Sequence, residues 1–408
     1  MSDLRITTLD SGLTVATERV PGTLSVATGV WVGVGSRDED ERVWGVSHFL
    51  EHLLFKGTDT RSAQQIARGV DRRGGDFNAF TSREYTAYYC RLPVRHADHG
   101  IELLGDVLTR PALRHDDVEA ERTVILEELA MDDDAPDDVA LRTFGSRVFS
   151  GHPLGRDPGG DRSHVQAITA DDVRAFFEQH YRAGAMVVAT AGPLEHDDMV
   201  RQIETAFASV ATGAVPLERQ APGDPGHGCT VRDESEQVHI VMGGRGLARG
   251  DDRREALDVM NHVLGGGLSS RLFEEIREQR GLVYTVYSAV ASFADAGVVQ
   301  LYAGTQPEHA EEVEHLMRTE LDRLATGGIT DEELEVAVGY LTGSFEMGLE
   351  DTGARVARNA TLLTTTGAVR PIDEQVARWA AVDHDAVGAA IAAVTADEPI
   401  VVTVGPVA

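Results

Sequence analysis

The segment Met186-Val-Val-Ala-Thr-Ala-Gly-Pro193 recurs near the far end of the chain as Ile400-Val-Val-Thr-Val-Gly-Pro406. Both copies are typical of a strand that is rich in β-branched residues and stops at a Gly-Pro pair. A capped helix is predicted before each strand, beginning at Thr169 in the first copy and at Asp383 in the second. The two Gly-Pro pairs start at positions 192 and 405, an offset of 213 residues.

A second, unrelated landmark recurs with almost the same offset. His115-Asp-Asp-Val-Glu-Ala-Glu121 opens a predicted helix, and Thr330-Asp-Glu-Glu-Leu-Glu-Val336 opens a similar one, 215 residues later when 330 is set against 115. Two common helix–strand pairings can coincide, but the equal order and offset favour a duplicated domain of about 200 residues. We expect an N-terminal domain at 1–215, a linker rich in Pro and Gly at 216–228, and a homologous C-terminal domain at 229–408.

Each half mixes strands with helices. The stretches 23–34 and 85–92 are rich in β-branched and aromatic residues and predict strands, whereas a helical stretch begins near Asp116 and runs past Glu128. The strands cluster with hairpins and do not alternate strictly with helices. The sequence therefore predicts an α+β fold, a mostly antiparallel sheet with helices packed on one face, present twice.

Composition and charge narrow the classes of partner. The chain has 408 residues, of which 42% are hydrophobic, so it can build a large core and is not intrinsically disordered. Its formal net charge of −30 repels phosphate backbones and anionic lipid, so we expect neither nucleic acid nor a membrane as a partner. The two cysteines, Cys90 and Cys229, lie far apart, and no leader peptide or membrane-spanning run is visible. These features predict a cytoplasmic protein with reduced thiols.

The segment from Trp44 to Gly57 carries the most specific chemistry. His48 and His52 are four residues apart, so they share a helix face, and Glu51 lies close to the same face. Ser47 or a neighbour can cap this helix, and Gly57 can end it. Two imidazoles one turn apart can bind zinc, and a carboxylate beside them can accept a proton from water. This is an H-x-x-E-H pattern, the inverse of H-E-x-x-H.

The alternative interpretation of this segment is an amphipathic helix with a solvated polar face. That face is narrow here, because apolar side chains surround the two histidines: Phe49, Leu50, Leu53, Leu54 and Phe55.

A zinc site for catalysis needs a third protein ligand, and the acidic helix near Glu121 offers candidates. Glu121 and Glu128 are seven residues apart and face the same way, whereas Glu127 points about 100° aside in a 3.6-residue helix. We predict Glu128 as the ligand and Glu121 as a carboxylate that orients a histidine or the water. Glu119 and Glu127 are interpreted as part of a solvated acidic face.

With these residues in view, the sequence resembles the pitrilysin family of zinc peptidases, and in particular its processing-peptidase branch, which includes short bacterial members. The resemblance rests on the run from His48 to Thr58, on Gly74-Gly-Asp-Phe-Asn-Ala-Phe-Thr-Ser82, and on Glu121 and Glu128. It extends over essentially the whole chain, including the duplication.

The resemblance implies a role for each residue of the predicted metal site. By this similarity His48, His52 and Glu128 bind Zn²⁺, and Glu51 is the general base. Met260-Asn261 occupies roughly the place of Glu51-His52 in the second copy, 209 residues later when 261 is set against 52. The second copy therefore lacks ligands, and we expect one zinc ion per chain.

Two further segments resemble motifs of the family. Asn78-Ala79 matches a segment that binds the substrate backbone beside the metal, as an exposed edge strand can. Arg277 and Tyr284 resemble an Arg/Tyr pair that contacts the scissile region and stabilises the developing oxyanion. An ordinary hairpin strand, a surface arginine and a packed tyrosine are the alternative interpretations from the residues alone.

The resemblance implies a zinc-dependent endopeptidase that hydrolyses peptides or short unfolded segments inside a closed chamber. Short members hold half of the domains that such a chamber needs, so a homodimer with shared active sites is expected. One alternative is a non-catalytic assembly or scaffold subunit, although such relatives typically lose metal ligands. The other alternative is a catalytic subunit that requires a distinct, inactive partner.

Overall fold

The computed structural model describes residues 3–406 and contains two β-sheets with helices packed on them. The first sheet is built from six strands: β1 (Asp3–Thr8), β2 (Thr14–Arg19), β3 (Ser25–Val32), β4 (Asp76–Thr81), β5 (Thr86–Pro93) and β6 (Met186–Gly192). The second sheet is built from five: β7 (Cys229–Arg232), β8 (Val238–Gly246), β9 (Val283–Ser292), β10 (Gly297–Thr305) and β11 (Ile400–Gly405). The predicted α+β class is confirmed.

The α-helices of the described residues follow in chain order. They are α1 (Val46–Leu54), α2 (Ala63–Asp71), α3 (Ala97–Thr109), α4 (His115–Asp133), α5 (Pro136–Val148), α6 (Arg162–Ala167), α7 (Ala170–His180), α8 (His196–Ala206), α9 (Arg254–Asn261), α10 (Ala310–Gly327), α11 (Asp331–Gly348), α12 (Thr352–Thr366), α13 (Ile372–Ala380) and α14 (His384–Val394). Within residues 3–406, none of these helices has the length and apolar character that a membrane span requires.

The five strands of the second sheet repeat the order of five strands of the first, which has β1 as an additional edge strand. The first runs β1-β2-β6-β3-β5-β4 and the second runs β7-β11-β8-β10-β9. In each sheet the strand before the Gly-Pro pair, β6 or β11, is parallel to one neighbour and antiparallel to the other. All other pairs are antiparallel. Each sheet is therefore mostly antiparallel, and the topology matches a duplication.

The repeated glycine has the same structural reason in both copies. Gly192 has φ of 156° and Gly405 has φ of 152°, values that side-chain-bearing residues rarely adopt. A Cβ atom at Gly192 would lie 2.7 Å from a methyl carbon of Val26, and one at Gly405 would lie 2.9 Å from Cα of Val238. Glycine is therefore required where each strand leaves its sheet against the neighbouring strand.

Both faces of the first sheet are apolar. Along β3, Val26, Val30 and Val32 point into the main core, whereas Ala27 and Trp31 point to the opposite face, as the two-residue period of a strand requires. The main core is covered by α1, α3, α7 and α8, whose buried residues include Phe49, Leu104, Phe176 and Ile203. The opposite face needs a second cover.

A helix from the other half of the chain covers that opposite face. Val356, Ala360 and Leu363 of α12 pack against the face that contains Trp31. The second sheet has the reciprocal arrangement, since Phe144 and neighbouring residues of α5 pack on a face formed by β8, β10 and β11. The expected helical layer on one face is thus accompanied by one exchanged helix on the other face.

This exchange changes the domain boundaries. The first compact unit holds the described residues up to Leu129 together with Asp157–Arg219 and Met347–Pro371. The second unit holds Ala130–Arg156, Gln220–Glu346 and the residues from Ile372 onward. The step from Arg219 to Gln220 lies in the expected linker 216–228, but the units differ from the contiguous ranges 1–215 and 229–408. The reason is that each half of the chain donates one helix, which covers an apolar face of the sheet formed by the other half.

Candidate functional site

Helix α1 presents the H-x-x-E-H residues on one side and its apolar residues on the other. Phe49, Leu50, Leu53 and Leu54 are at most 1% exposed, so burial fixes the helix and leaves the polar residues half-buried. Ser47 lies inside the helix and Gly45 is the N-cap residue, while the helix ends at Leu54, before Gly57. The carboxylate of Glu39 accepts hydrogen bonds from the N–H groups of Gly45 and Ser47, each at 2.7 Å. Glu39 thereby supplies the negative charge that a helix N-terminus favours.

The structure brings the three predicted ligands together. Nε2 of His48 lies 3.2 Å from Nε2 of His52, and Nε2 of His52 lies 3.5 Å from Oε2 of Glu128. One donor atom from each residue fits in a group whose members are all within 4.8 Å of one another. No second group of three such donors is found among residues 3–406.

These spacings fit a zinc ion. Tetrahedral coordination with Zn–N distances near 2.0–2.1 Å places neighbouring donor atoms about 3.3–3.4 Å apart. The two donor separations of 3.2 and 3.5 Å lie on either side of that value. Two imidazoles and one carboxylate are also the donor types of many zinc sites that retain an open position.

The protonation state of His48 suits metal binding. Burial, together with the nearby His52, lowers the pKa of His48 from 6.5 to about 4. His48 is therefore neutral near pH 7, and a neutral imidazole is the form that binds a metal.

Glu51 stands beside the three donors with a partner of its own. The hydroxyl of Thr81 at the end of β4 donates a hydrogen bond of 2.6 Å to Oε2 of Glu51. Burial raises the pKa of the Glu51 carboxyl, and the charge of Glu128 adds to this effect, whereas Thr81 and His52 oppose it. A raised pKa brings a carboxylate closer to the range in which it exchanges protons with substrates.

Glu121 contacts His52 from the opposite side of the imidazole. Its Oε2 lies 3.1 Å from Nδ1 of His52, and its other oxygen, Oε1, contacts Nζ of Lys56. Glu121 is buried, whereas Glu127 is exposed and Glu119 is an exposed residue that pairs with Arg122. The seven-residue spacing thus separates the carboxylates at the site from those in solvent.

Asn78 and Ala79 lie on β4, which is the last strand in the order of the first sheet. Ala79 is buried and Asn78 is exposed, in keeping with strand alternation. Oδ1 of Asn78 accepts a hydrogen bond of 2.8 Å from the N–H group of Ala79. A peptide that paired with this N–H group would have to displace the Asn78 side chain.

Arg277 and Tyr284 belong to the second unit. The Arg277 guanidinium carbon lies 5.4 Å from the centre of the Tyr284 ring and 4.6 Å from that of Phe273. Tyr284 is 80% exposed, so the pair forms a surface feature and Tyr284 is not a packed core tyrosine. The two residues predicted to act together are in contact.

Three residues that contact helix α1 or the site carboxylates are absent from the sequence prediction: Thr81, Glu39 and Lys56. Thr81 lies 30 positions after Glu51, and Glu39 lies 6 positions before Gly45, so no helical spacing links them to the site. Lys56 did carry a signal, because it follows His52 by four residues and is the only lysine of the chain.

The fold and the site together define a duplicated α+β protein with an H-x-x-E-H metal centre in one copy. Two family models match the chain: residues 14–161 match insulinase (peptidase family M16), and residues 167–341 match the peptidase M16 inactive domain. The chain therefore belongs to peptidase family M16, which confirms the resemblance stated from the sequence. The match to the inactive-domain model includes residues 229–341 of the copy without ligands and also the end of the first copy from residue 167 onward.

Relatives from three bacteria cover nearly the same length. An uncharacterized zinc protease of Streptomyces coelicolor is 42% identical over 99% of this chain and 90% of its own length. One from Mycobacterium tuberculosis is 43% identical over 87% of this chain and 82% of its length, and one from Bacillus subtilis is 34% identical over 93% of each.

Two solved structures share the fold. A protease from Helicobacter pylori superimposes with a TM-score of 0.94 at 23% identity and covers 100% of both chains. A peptidase M16 inactive domain from Pseudomonas fluorescens superimposes with a TM-score of 0.93 at 22% identity, covering 100% of this chain and 98% of its own.

Proposed function

We propose that this protein is a zinc-dependent endopeptidase that hydrolyses peptides or short unfolded segments. The observation that carries the proposal is the group of His48, His52 and Glu128 at zinc-like spacing, with Glu51 beside it. Its relatives of similar length are named zinc proteases. In this proposal Zn²⁺ held by those three residues supplies a Lewis acid that polarises the scissile carbonyl and acidifies water.

The residues of this chain divide the remaining work. Glu51 accepts a proton from the attacking water and passes it to the nitrogen of the leaving amine. Thr81 holds one oxygen of Glu51 by its hydrogen bond, so the other oxygen is left for the proton. Glu121 accepts from Nδ1 of His52, which keeps the lone pair on Nε2 available for the metal.

Substrate contacts complete the proposal. Asn78 and Ala79 on the edge strand bind an extended peptide backbone next to Glu51. Arg277 and Tyr284 stabilise the negative charge that develops on the carbonyl oxygen. We further propose that two chains form a homodimer enclosing a chamber, in which the Arg277/Tyr284 pair of one chain serves the metal site of its partner.

The first test measures zinc content and peptide cleavage by the purified chain alone. Glu51→Gln should retain about one zinc per chain and lose about 10²–10⁴-fold in turnover of a quenched peptide library, because it removes the base and no ligand. Glu127→Gln, an equal change at an exposed position of α4, is the matched control and should cleave normally. Normal turnover by Glu51→Gln would exclude the assigned base.

The same measurement separates the rival functions. Stoichiometric zinc without cleavage by the wild-type chain would favour the assembly subunit or the need for an inactive partner. Addition of a homologous partner chain that restores cleavage would then identify the second of these.

The shared site is tested by mixing two defective chains. One carries Glu51→Gln and the other carries Tyr284→Phe, after each has been shown to be impaired alone. A mixed dimer with shared sites contains one complete set of groups, so activity should return, up to about half that of the wild type. Verified mixed dimers without recovery would show that each chain uses its own pair.

A further inference from the structure

The only lysine of the chain lies at the metal site. The chain has 37 lysine and arginine residues together, and Lys56 is the single lysine among them. Lys56 follows the last turn of α1, and its N–H group donates to the carbonyl of Leu53 at 3.0 Å. His48, His52 and Lys56 are spaced four residues apart, so they follow one face of the helix and its final turn.

Lys56 contacts the buried carboxylate that holds His52. Its Nζ pairs with Oε1 of Glu121, while Oε2 of the same carboxylate lies 3.1 Å from Nδ1 of His52. The Glu121 side chain is 5% exposed and the Lys56 side chain is 38% exposed. The two oxygens of one buried carboxylate are thus divided between an ammonium group and an imidazole.

A buried carboxylate needs such a partner to keep its orientation. Removal of one member of a buried ion pair leaves an uncompensated charge, which the protein relieves by reorientation of the remaining group toward water or another donor. Such reorientation would weaken the acceptor for Nδ1–H of His52. The imidazole could then carry its proton on Nε2, the atom that faces His48 and Glu128.

We propose that Lys56 is a positioning residue for the metal site and acts through Glu121 on the tautomer and orientation of His52. The ammonium is a compact point charge, so it can pair with one carboxylate oxygen and leave the other to the imidazole. The inference rests on the proposed zinc site and adds a residue that touches neither metal nor substrate.

A solvent-exposed lysine with an incidental ion pair is the alternative. An exposed pair contributes little, because water screens both charges. The burial of Glu121 and its simultaneous contact with a ligand histidine distinguish Lys56 from such a pair. The alternative predicts that zinc affinity does not depend on Lys56.

The test measures zinc affinity by competition with a chromophoric chelator, using the full-length chain. Lys56→Met should weaken zinc binding about 10–100-fold, the usual effect of losing an outer partner of a ligand. Arg68→Met on the exposed face of α2 removes the same charge elsewhere in the first unit and should leave the affinity unchanged. Equal affinities for wild type and Lys56→Met would overturn the proposal.

A double-mutant cycle tests whether the effect passes through Glu121. Lys56→Met should cost much less affinity in a Glu121→Gln background than in the wild type, since the carboxylate that it acts on is already gone. The same loss in both backgrounds would overturn the proposed route. In the metal-free protein, ¹⁵N spectra of the imidazoles should show that Lys56→Met shifts His52 toward the Nε2–H tautomer, and an unchanged tautomer would also refute it.

Chemical modification of the folded chain provides a test that needs no variant. Because Lys56 is the only lysine, amine reagents modify it and the terminal amine alone. Acetylation removes the charge and should weaken zinc binding about as much as Lys56→Met, whereas reductive dimethylation keeps the charge and should preserve it. Equal effects of the two reagents would contradict a role through charge. A wild-type chain that binds no zinc would instead refute the proposed function itself.

Discussion

The two copies of the duplicated domain have sheets of the same topology over five strands and differ at the place where a metal can bind. In the first copy, His52 at the end of α1 contacts Glu121 of α4 through polar atoms. In the second copy, α9 and α11 occupy the equivalent positions in the chain order, and His262 stacks on Tyr340 with ring centres 4.2 Å apart. The first copy thus has a polar contact between α1 and α4, whereas the second has an aromatic contact, at other positions, between the residue after α9 and α11.

The carboxylates differ in the same way. With an offset of 215 or 216 residues between the copies, the position equivalent to Glu121 is Val336 or Ala337. The position equivalent to Glu128 is Gly343 or Ser344. No carboxylate remains at either position of α11. The fold therefore occurs twice, and a few side chains on two helices decide which copy can hold a metal.

The largest expected effect is on the stability of the fold. It concerns the exchanged helix, a feature that both copies have. Phe144 of α5 is fully buried on the second sheet, so Phe144→Ala should destabilise the protein by about 3–5 kcal/mol in urea unfolding. Leu363→Ala is the corresponding side-chain truncation in α12 and should lower the free energy of unfolding by about 2–5 kcal/mol. Arg147→Ala, at an exposed position of α5, should stay within about 0.5 kcal/mol of the wild type. A mild effect of Phe144→Ala would mean that the exchanged helix is not an integral part of the second unit.

The second prediction makes the first copy more like the second. Glu128→Gln should weaken zinc binding by more than about 100-fold, or about 2.7 kcal/mol, because it removes a ligand and not merely an outer partner. Glu127→Gln is the adjacent control and should bind zinc normally, since Glu127 is exposed. Metal titrations with the reverse pattern would show that the neighbouring carboxylate is the ligand.

The third prediction uses the pKa of His48, which burial lowers to about 4. In metal-free protein, unfolded His48 binds a proton below about pH 6.5, whereas folded His48 does so only below about pH 4. Between these values the unfolded state binds more protons, so stability should fall as the pH is lowered from about 6.5 to about 4. His48→Gln should reduce this slope in urea midpoints measured across the range. Parallel curves for the two proteins would contradict it, because the other histidines are common to both.

The last prediction compares the reactivity of the two cysteine thiols in the folded protein and has no expected effect on stability or activity. Complete burial raises the pKa of Cys90 in the first sheet to about 12, whereas Cys229 in the second sheet is half-buried. A thiol with a pKa near 12 is only about 10⁻⁴ ionised at pH 8, so iodoacetamide should modify Cys229 and spare Cys90 in the folded protein. Peptide mass spectrometry can read both sites, and denatured protein, in which both should react, is the control. Rapid labelling of Cys90 would show that the first sheet opens readily.

Much of the site could be predicted because its spacing is local. His48, Glu51 and His52 are ordered by a single helix, and the seven residues from Glu121 to Glu128 place both on one face of another. The duplication was also visible, since the Gly-Pro strand ends recur wherever the same close approach to a neighbouring strand recurs. Helix ends were less well predicted: Gly57 was expected to end α1, but the helix stops at Leu54.

The sequence by itself determined the α+β class, the repeat and the likeness of His48, His52, Glu51 and Glu128 to a zinc peptidase site, because helix and strand periods are properties of short segments. Only the tertiary structure decided that α5 and α12 would be exchanged, since either helix could cover any apolar sheet face of suitable shape. It also decided that Thr81 contacts Glu51 and that Glu121 lies between His52 and Lys56. These contacts join residues from different elements, and their distances are set by how the helices pack on the sheet and not by spacing along the chain.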